Sequence, residues 1–318
     1  MEVRLEVPVW ATHLLSDLHD WKRRPLPVAD LDRFTIPDDA WFEYAWLDRD
    51  GAMRPDPGGE NAGNPWWPAA CVIRGPRHRE HPDVVRDTDS PSSRLRRVRL
   101  RSEHLGMDRW HFIYSPVAAN GPRPLIYIQD GKAFWHWGRV GSLVDRFTAD
   151  GSVPAAHYVF IQPELRSREY VFHEPFRRFV LDELMPAVEL ELPCDGRRIL
   201  WGASLGALAS ADLAIGRPDL FGTVVAQSGA FLIAPGDDPV DPYAGSEWLL
   251  SRFRAGDGGG IRWRLECGRL EWLIDSHRRL EHALSVTGAE YACIEHPYGH
   301  NWANWRHGIP DALKWALG

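Results

Sequence analysis

Apolar positions fall into two regimes along the chain. Up to about residue 75 they come in short runs, Glu2 to Val9, His13 to Leu15 and Trp41 to Leu47, with aromatic and β-branched residues alternating or clustering between Pro, Asp and Gly. That spacing predicts a small β-sandwich over residues 1–75. From about Leu100 the runs are apolar throughout: Trp110 to Tyr114, Leu125 to Gln129, Tyr158 to Gln162, Arg198 to Trp201, Val224 to Gln227, Trp263 to Cys267 and Tyr291 to Glu295. Helical patterns separate several of them, notably Pro175 to Glu191 and Trp272 to Leu284, and a closing helix is expected from about Ile309 to Leu317. Strands without a polar face, separated by helices, predict a mainly parallel sheet covered on both sides, an α/β domain over residues 96–318. Sheets of this kind bind ligands at the carboxyl ends of their strands.

Between the two lies a polar, Pro- and Ser-containing stretch, residues 76–95, that reads as a linker. After it, Arg97, Arg99 and Arg101 alternate with Val98 and Leu100, which in a strand puts three guanidinium groups on one face. That face is either solvated or an anion-binding strip.

Composition narrows the function classes. The 318 residues carry 44% hydrophobic and 25% charged side chains, as expected of a globular protein, and a formal charge of −7 that counts against nucleic-acid binding. No stretch approaches the ~20 apolar residues of a membrane span, and Met1 to Glu6 has the wrong character for a secretory signal, so no membrane partner and a cytoplasmic location are expected. Cys71, Cys194, Cys267 and Cys293 are far apart in strand-like contexts and read as buried thiols. His78 and His81 lack a third partner nearby, so no metal or cofactor is expected. Sixteen Trp can form a core or a stacking surface, and Trp21, Trp66 and Trp67 in the first 75 residues read either as structural or substrate-shaping residues of that module or as carbohydrate binders. Oligomeric state leaves no mark on the sequence.

One stretch carries chemistry. In Ile199-Leu200-Trp201-Gly202-Ala203-Ser204-Leu205-Gly206 an apolar strand runs into Gly-x-Ser-x-Gly and an Ala-rich helix that Gly216 and Pro218 stop. Such a sharp strand-to-helix turn exposes Ser204 as a nucleophile, and Gly202 and Gly206 let strand and helix approach. The Leu205 N–H, at the positive end of the helix, would face an oxyanion. A serine hydroxyl needs a base and the base needs an orienting acid. His300, in Pro297-Tyr298-Gly299-His300-Asn301-Trp302 after the last strand, is the expected base, with His296 and His307 as rivals. The acid should come between them, after a strand: Glu271, past the turn at Gly268, or Asp275 one helical turn on. A second oxyanion donor is expected from the backbone of Gly131 or Lys132, after Leu125 to Gln129. Phe134, Trp135 and Trp137 read as substrate wall or as core.

With these pieces in order, residues from about 97 onward resemble the putative-esterase family of α/β-hydrolases, which includes enterochelin esterases, feruloyl esterase domains, S-formylglutathione hydrolases and mycolyltransferases. The likeness runs through Ser102, Leu105-Gly106, Arg109, Tyr114-Ser115-Pro116, Gln129-Asp130-Gly131, Arg166, Glu169, Glu183-Leu184-Met185-Pro186, the Ser204 turn, Pro218-Asp219-Leu220-Phe221-Gly222, Ser228-Gly229-Ala230-Phe231, Cys267 to Glu271, Gly299 to Trp302 and Trp305-Arg306. Ser16 to Trp21, Phe42 to Gly51, Asp56-Pro57 and Asn64-Pro65 resemble the early-set, immunoglobulin-like modules that precede catalytic domains in glycogen-processing enzymes and enterochelin esterases. The resemblance implies an α/β-hydrolase fold behind a β-sandwich, and a serine carboxylic ester hydrolase with Ser204, His300 and Glu271 as triad. Tyr298-Gly299 stands where many members have Gly-Gly, and the acid is Glu where Asp is usual. The implied substrate is a small-molecule ester, a catecholate siderophore or an acylated sugar, with Arg166, Arg306, Lys132, Trp135, Phe231 and Trp302 as candidate substrate contacts. An acyltransferase of the same fold and a non-enzymatic glycan-binding protein are the alternatives.

Overall fold

A computed structural model describes residues 1–31, 33–85, 94–116, 121–237 and 247–318. The apolar runs of the first 75 residues spend themselves on short strands: β1 (Glu2–Val3), β2 (Ala11–Ser16), β3 (Leu26–Pro27), β4 (Phe34–Thr35), β5 (Trp41–Asp48), β6 (Met53–Arg54), β7 (Glu60–Asn61) and β8 (Cys71–Arg74). β2, β3, β5, β7 and β8 pair antiparallel in the order β3-β2-β5-β8-β7, with β6 on β5, and β1 pairs β4 in a separate ribbon. Val3 from the ribbon packs with Leu14, Phe42, Tyr44 and Trp46 of the larger sheet, so the two layers share one small core. The expected first strand stops at Val3, and Val9, at its far end, is almost fully exposed.

The first half of the expected linker is packed. Helix α1 (Pro82–Val85) lies against the last helix, and Asp83 takes ion pairs from Arg146 at 2.6 Å and Lys314 at 3.1 Å. Residues 86–93 lie outside the described residues.

Eight strands make the second sheet: β9 (Arg96–Ser102), β10 (Met107–Tyr114), β11 (Arg123–Ile128), β12 (His157–Ile161), β13 (Cys194–Ala203), β14 (Thr223–Gln227), β15 (Arg262–Gly268) and β16 (Tyr291–His296), in the order β16-β15-β14-β13-β11-β12-β10-β9. The six from β11 to β16 run parallel, and β10 and β9 close one edge antiparallel. Arg97, Arg99 and Arg101 are exposed on that edge strand, where Arg97 lies 3.7 Å from the Trp110 ring centroid.

The pleat sends alternate side chains to opposite faces, which is why these strands lack a polar face. Leu125, Tyr127 and Leu200 enter one core, under α7 (Leu205–Gly216), α8 (Trp248–Arg254) and α9 (Ile274–Leu284). Ile126, Ile128, Ile199 and Trp201 enter the other, under α2 (Gly131–His136), α3 (Val140–Ala149) and α10 (Trp302–Leu317). The run expected as one helix from Pro175 is α5 (Glu174–Arg178), a wider π turn (Phe179–Leu184) and α6 (Met185–Glu191). Pro186 offers no N–H to the carbonyl one turn back and crowds it, so the turn widens there. Helix α10 begins seven residues before the expected Ile309, because Gly308 and Pro310 disguise its first turns. Glycine is needed at 308 for space: a Cβ there would lie 2.1 Å from the Glu266 carboxylate.

Strands β11 and β12 are followed by a return to β13 on the other side of β11. The crevice at that reversal, outside the carboxyl ends of β11 and β13, is where such sheets bind ligands.

Candidate active site

Ser204 stands at this crevice, where β13 hands over to α7. Its φ of 55° and ψ of −122° are strained for a residue with a Cβ, and the strain lifts the hydroxyl clear of the sheet. Gly202 is obligatory for space: a Cβ on it would lie 2.3 Å from the backbone of Gly206. Leu205 begins the helix, so its N–H has no acceptor within the helix, and it lines the same cavity as Ser204.

The chain brings in two partners from the next strand ends. His300, four residues past β16, places Nε2 3.0 Å from Ser204 Oγ and Nδ1 2.7 Å from Glu271 Oε2. Glu271, three residues past β15, has a fully buried side chain. Its other oxygen, Oε1, accepts from Ser228 Oγ at 2.5 Å, the Gly268 N–H at 2.8 Å and Asn304 Nδ2 at 2.8 Å. Burial opposes ionisation of Glu271, yet the charge and hydrogen bond of His300, with those from Ser228 and Gly268, outweigh it and hold the carboxyl below its ordinary range. Asp275, the alternative acid, points to solvent with its side chain 77% exposed and pairs with Arg278. Of the rival bases, His296 faces Glu266 at 3.5 Å and His307 accepts from the Tyr298 hydroxyl or donates to it at 3.0 Å, both away from Ser204.

Ser228, Asn304 and Trp305 complete the surroundings of Glu271. Ser228 follows β14 in a left-handed conformation (φ 48°) and accepts from Trp305 Nε1 at 2.9 Å while donating to Glu271. Four adjacent strand ends, β13 to β16, thus supply Ser204, Ser228, Glu271 and His300. Ser228 stands just after an apolar strand, and Asn304 and Trp305 sit one turn into α10. The family likeness runs through Ser228 and Trp305, but neither their type nor their spacing points to a place beside Glu271, and Asn304 carries no sequence signal of its own.

Across the crevice, Arg166 forms a two-pronged ion pair with Asp130, both contacts at 2.8 Å, and reaches the Ala203 carbonyl at 3.2 Å. The short helix α4 (Arg166–Glu169) is tied down by Glu169, which takes the buried Arg109 at 2.8 Å and the N–H groups of Glu164 and Leu165. Gly131 is buried against Phe160, which leaves no room for a Cβ. The Lys132 N–H donates to Gln162 Oε1 at 3.1 Å, and the Lys132 side chain is exposed.

Ser204, Leu205, His300 and Arg166 open into a cavity of about 440 Å³. Much of its remaining wall comes from the N-terminal module: Lys22, Arg23 and Trp66, with Trp21 and Trp67 stacked at 5.4 Å. Trp272 lies beside His300, ring centroids 4.8 Å apart. Of the six expected substrate contacts only Arg166 lines this cavity; Lys132 and four others stand elsewhere. Trp135 packs into the core against Tyr114 and Phe160, because α2 turns that face toward the sheet. Phe231 is fully buried and packs on His277. Trp302 is 6% exposed, wedged between Phe134 and Trp305. Arg306 points to a second cavity and donates to the Val84 carbonyl at 3.3 Å.

Among the described residues, no three His, Cys, Asp or Glu side chains are grouped as metal ligands, and no helix is long and apolar enough to cross a membrane. The four cysteines are unpaired; Cys71 and Cys267 are buried, while Cys194 and Cys293 are half-buried.

Residues 102–316 match the family profile described as Putative esterase, more than half of the chain. The chain belongs to the Putative esterase family. Among curated relatives, the iron(III) enterobactin esterase of Dickeya dadantii is 29% identical over 247 residues, covering 71% of this chain and 55% of that protein. The iron(III) enterobactin esterase of Escherichia coli K12 is 26% identical over 238 residues, 70% of this chain and 57% of that protein. The chain thus matches little more than half the length of these relatives. The fold is similar to that of the enterobactin esterase from Shigella flexneri crystallised with 2,3-dihydroxy-N-benzoyl-glycine, with a TM-score of 0.74 at 20% identity over 96% of this chain and 87% of that one. That coverage takes in both the N-terminal module and the α/β-hydrolase domain of this family member.

Proposed function

We propose that this esterase-family chain hydrolyses carboxylic esters through an acyl-enzyme. The observation that carries the proposal is the unbroken line from Ser204 Oγ through His300 to the buried Glu271, at 3.0 and 2.7 Å, opening on a cavity. His300 takes the Ser204 proton as Oγ attacks the ester carbonyl, and Glu271 holds the ring tautomer and balances the imidazolium. The Leu205 N–H and an amide of the Gly131–Lys132 turn receive the oxyanion, for which the Lys132 N–H must leave Gln162. His300 then protonates the leaving alcohol, and water, deprotonated by His300, releases the acid.

The cavity favours an aromatic, anionic ester. Lys22, Arg23 and Arg166 bring cations to its wall, Arg23 beside Asp20 at 3.6 Å and Arg166 held by Asp130, and the Trp21–Trp67 stack offers a flat apolar face. Together with the names of the curated relatives, this supports a catecholate siderophore ester of the enterobactin type as substrate. Turnover of p-nitrophenyl butyrate by wild type and Ser204→Ala tests the chemistry; equal rates would end the proposal. Turnover of ferric enterobactin against a feruloyl oligosaccharide tests the substrate, and preference for the sugar ester would overturn that part.

A further inference from the structure

The loop that carries His300 is held by a residue from the other part of the chain. Asp17, just past β2, is fully buried, and its carboxyl lies flat against the Cα of Gly299. A Cβ on Gly299 would come within 1.9 Å of Asp17 Cγ and 2.3 Å of both its oxygens. Gly299 has no left-handed φ, so the glycine is there for space. On the far side of His300, Asn301 Nδ2 approaches the same carboxyl at 3.4 and 3.5 Å. Asn301 also caps α10, its side chain accepting from the Asn304 N–H at 3.0 Å, and Asn304 donates to Glu271. One carboxyl of the module therefore touches the residues before and after His300 and, through the α10 cap, reaches Glu271.

A purely structural filler has little reason to be a carboxyl here. Among the described residues Asp17 has no ion pair with a cation, and its other donors are the Glu43 N–H at 2.8 Å and Trp21 Nε1 at 3.3 Å. Burial and then the neighbouring Glu43 carboxyl push its ionisation well above the ordinary range, a cost to folding. Costly buried groups of this kind gather at functional sites. The module also grips both loops elsewhere: the Trp41 N–H donates to the Pro297 carbonyl at 2.8 Å, and Asp39 takes Arg269 at 2.6 Å.

We propose that Asp17 is a positioning residue, which sets the Gly299–Asn301 turn so that His300 Nε2 stays within reach of Ser204 Oγ. The N-terminal module is thereby part of the catalytic apparatus. This rests on Ser204 and His300 acting as proposed above, and p-nitrophenyl butyrate turnover lost in Ser204→Ala establishes that separately. With that established, Asp17→Asn, close in volume and uncharged, is expected to lower kcat at least about tenfold, since misplacement of a reacting group by an ångström can cost up to about a hundredfold. KM should stay within about twofold, and the melting temperature should hold or rise because the costly carboxyl is gone. A merely structural role would move stability and activity down together. Gly299→Ala, which drives a methyl into the carboxyl, should lose kcat likewise, and Asp17→Ala/Gly299→Ala, with the obstructing atoms removed, should exceed Gly299→Ala. Wild-type kcat in Asp17→Asn, or a folded double variant no better than Gly299→Ala, would overturn the proposal.

Discussion

Glu271 shows how much a single side chain's surroundings decide. Glu271 and Asp275 lie four residues apart on one stretch, yet one is fully buried under four donors and the other is exposed beside Arg278. The sequence left both open, because burial depends on what packs above the loop. Glu271→Gln replaces an acceptor facing His300 Nδ1 and favours the wrong tautomer, so kcat should fall by about 10³–10⁴ with KM little changed. Asp275→Asn should stay near wild type in the same assay. If the two variants lose activity equally, Glu271 is not the orienting acid.

At the scale of elements, the strand-to-helix turn at Ser204 was legible because its geometry is local. Small residues two positions either side of the serine are a requirement of the turn itself. Gly202→Ala should therefore abolish activity, or yield insoluble protein, as its methyl would press on the Gly206 backbone. Gly216, at the exposed end of α7, has open space around it and no left-handed φ. Gly216→Ala should keep full activity and gain about 0.5 kcal/mol in urea unfolding. Elements whose form depends on other elements were harder. The π turn before Pro186 and the early start of α10 were hidden, since proline and glycine read as breakers until their neighbours are known. The aromatic residues of α2 were ambiguous for a related reason: which way a helix faces is settled only by the sheet beneath it.

At the scale of the molecule, the module supplies a wall of the cavity and a brace for the His300 loop. Reversing charge in Lys22→Glu/Arg23→Glu should raise KM for an anionic aromatic ester about tenfold or more and leave KM for neutral p-nitrophenyl butyrate nearly unchanged; parallel changes in both would show that the two residues do not read charge. Acid stability belongs to this scale too. Burial holds His111 and His307 down at about 4, with Arg96 adding at His111 and His296 and His81 at His307. With the unfolded value near 6.5, the unfolded chain binds the extra protons first, so stability should fall as pH drops from about 6.5 toward 4. Burial pushes Glu43 the other way, up to about 7, so its contribution is lost as pH rises from the unfolded value of about 4.3 through 7. Melting temperatures across this range should show His111→Phe with a shallower acid loss and Glu43→Gln with a smaller decline toward neutral pH. Slopes unchanged from wild type would refute the assignments.

The sequence by itself determined the sheet, the order of its strands' chemistry and the serine turn, because alternation, breakers and small-residue spacing act between near neighbours. It also narrowed the acid and base to a few residues, since each must follow a strand. Only the tertiary structure decided which acid is buried, which aromatics face the cavity, and that the first 75 residues reach the loop of His300. Those outcomes turn on contacts such as Asp17 against Gly299, 282 positions apart in the numbering, and no local pattern records which distant side chain will fill the space a glycine leaves.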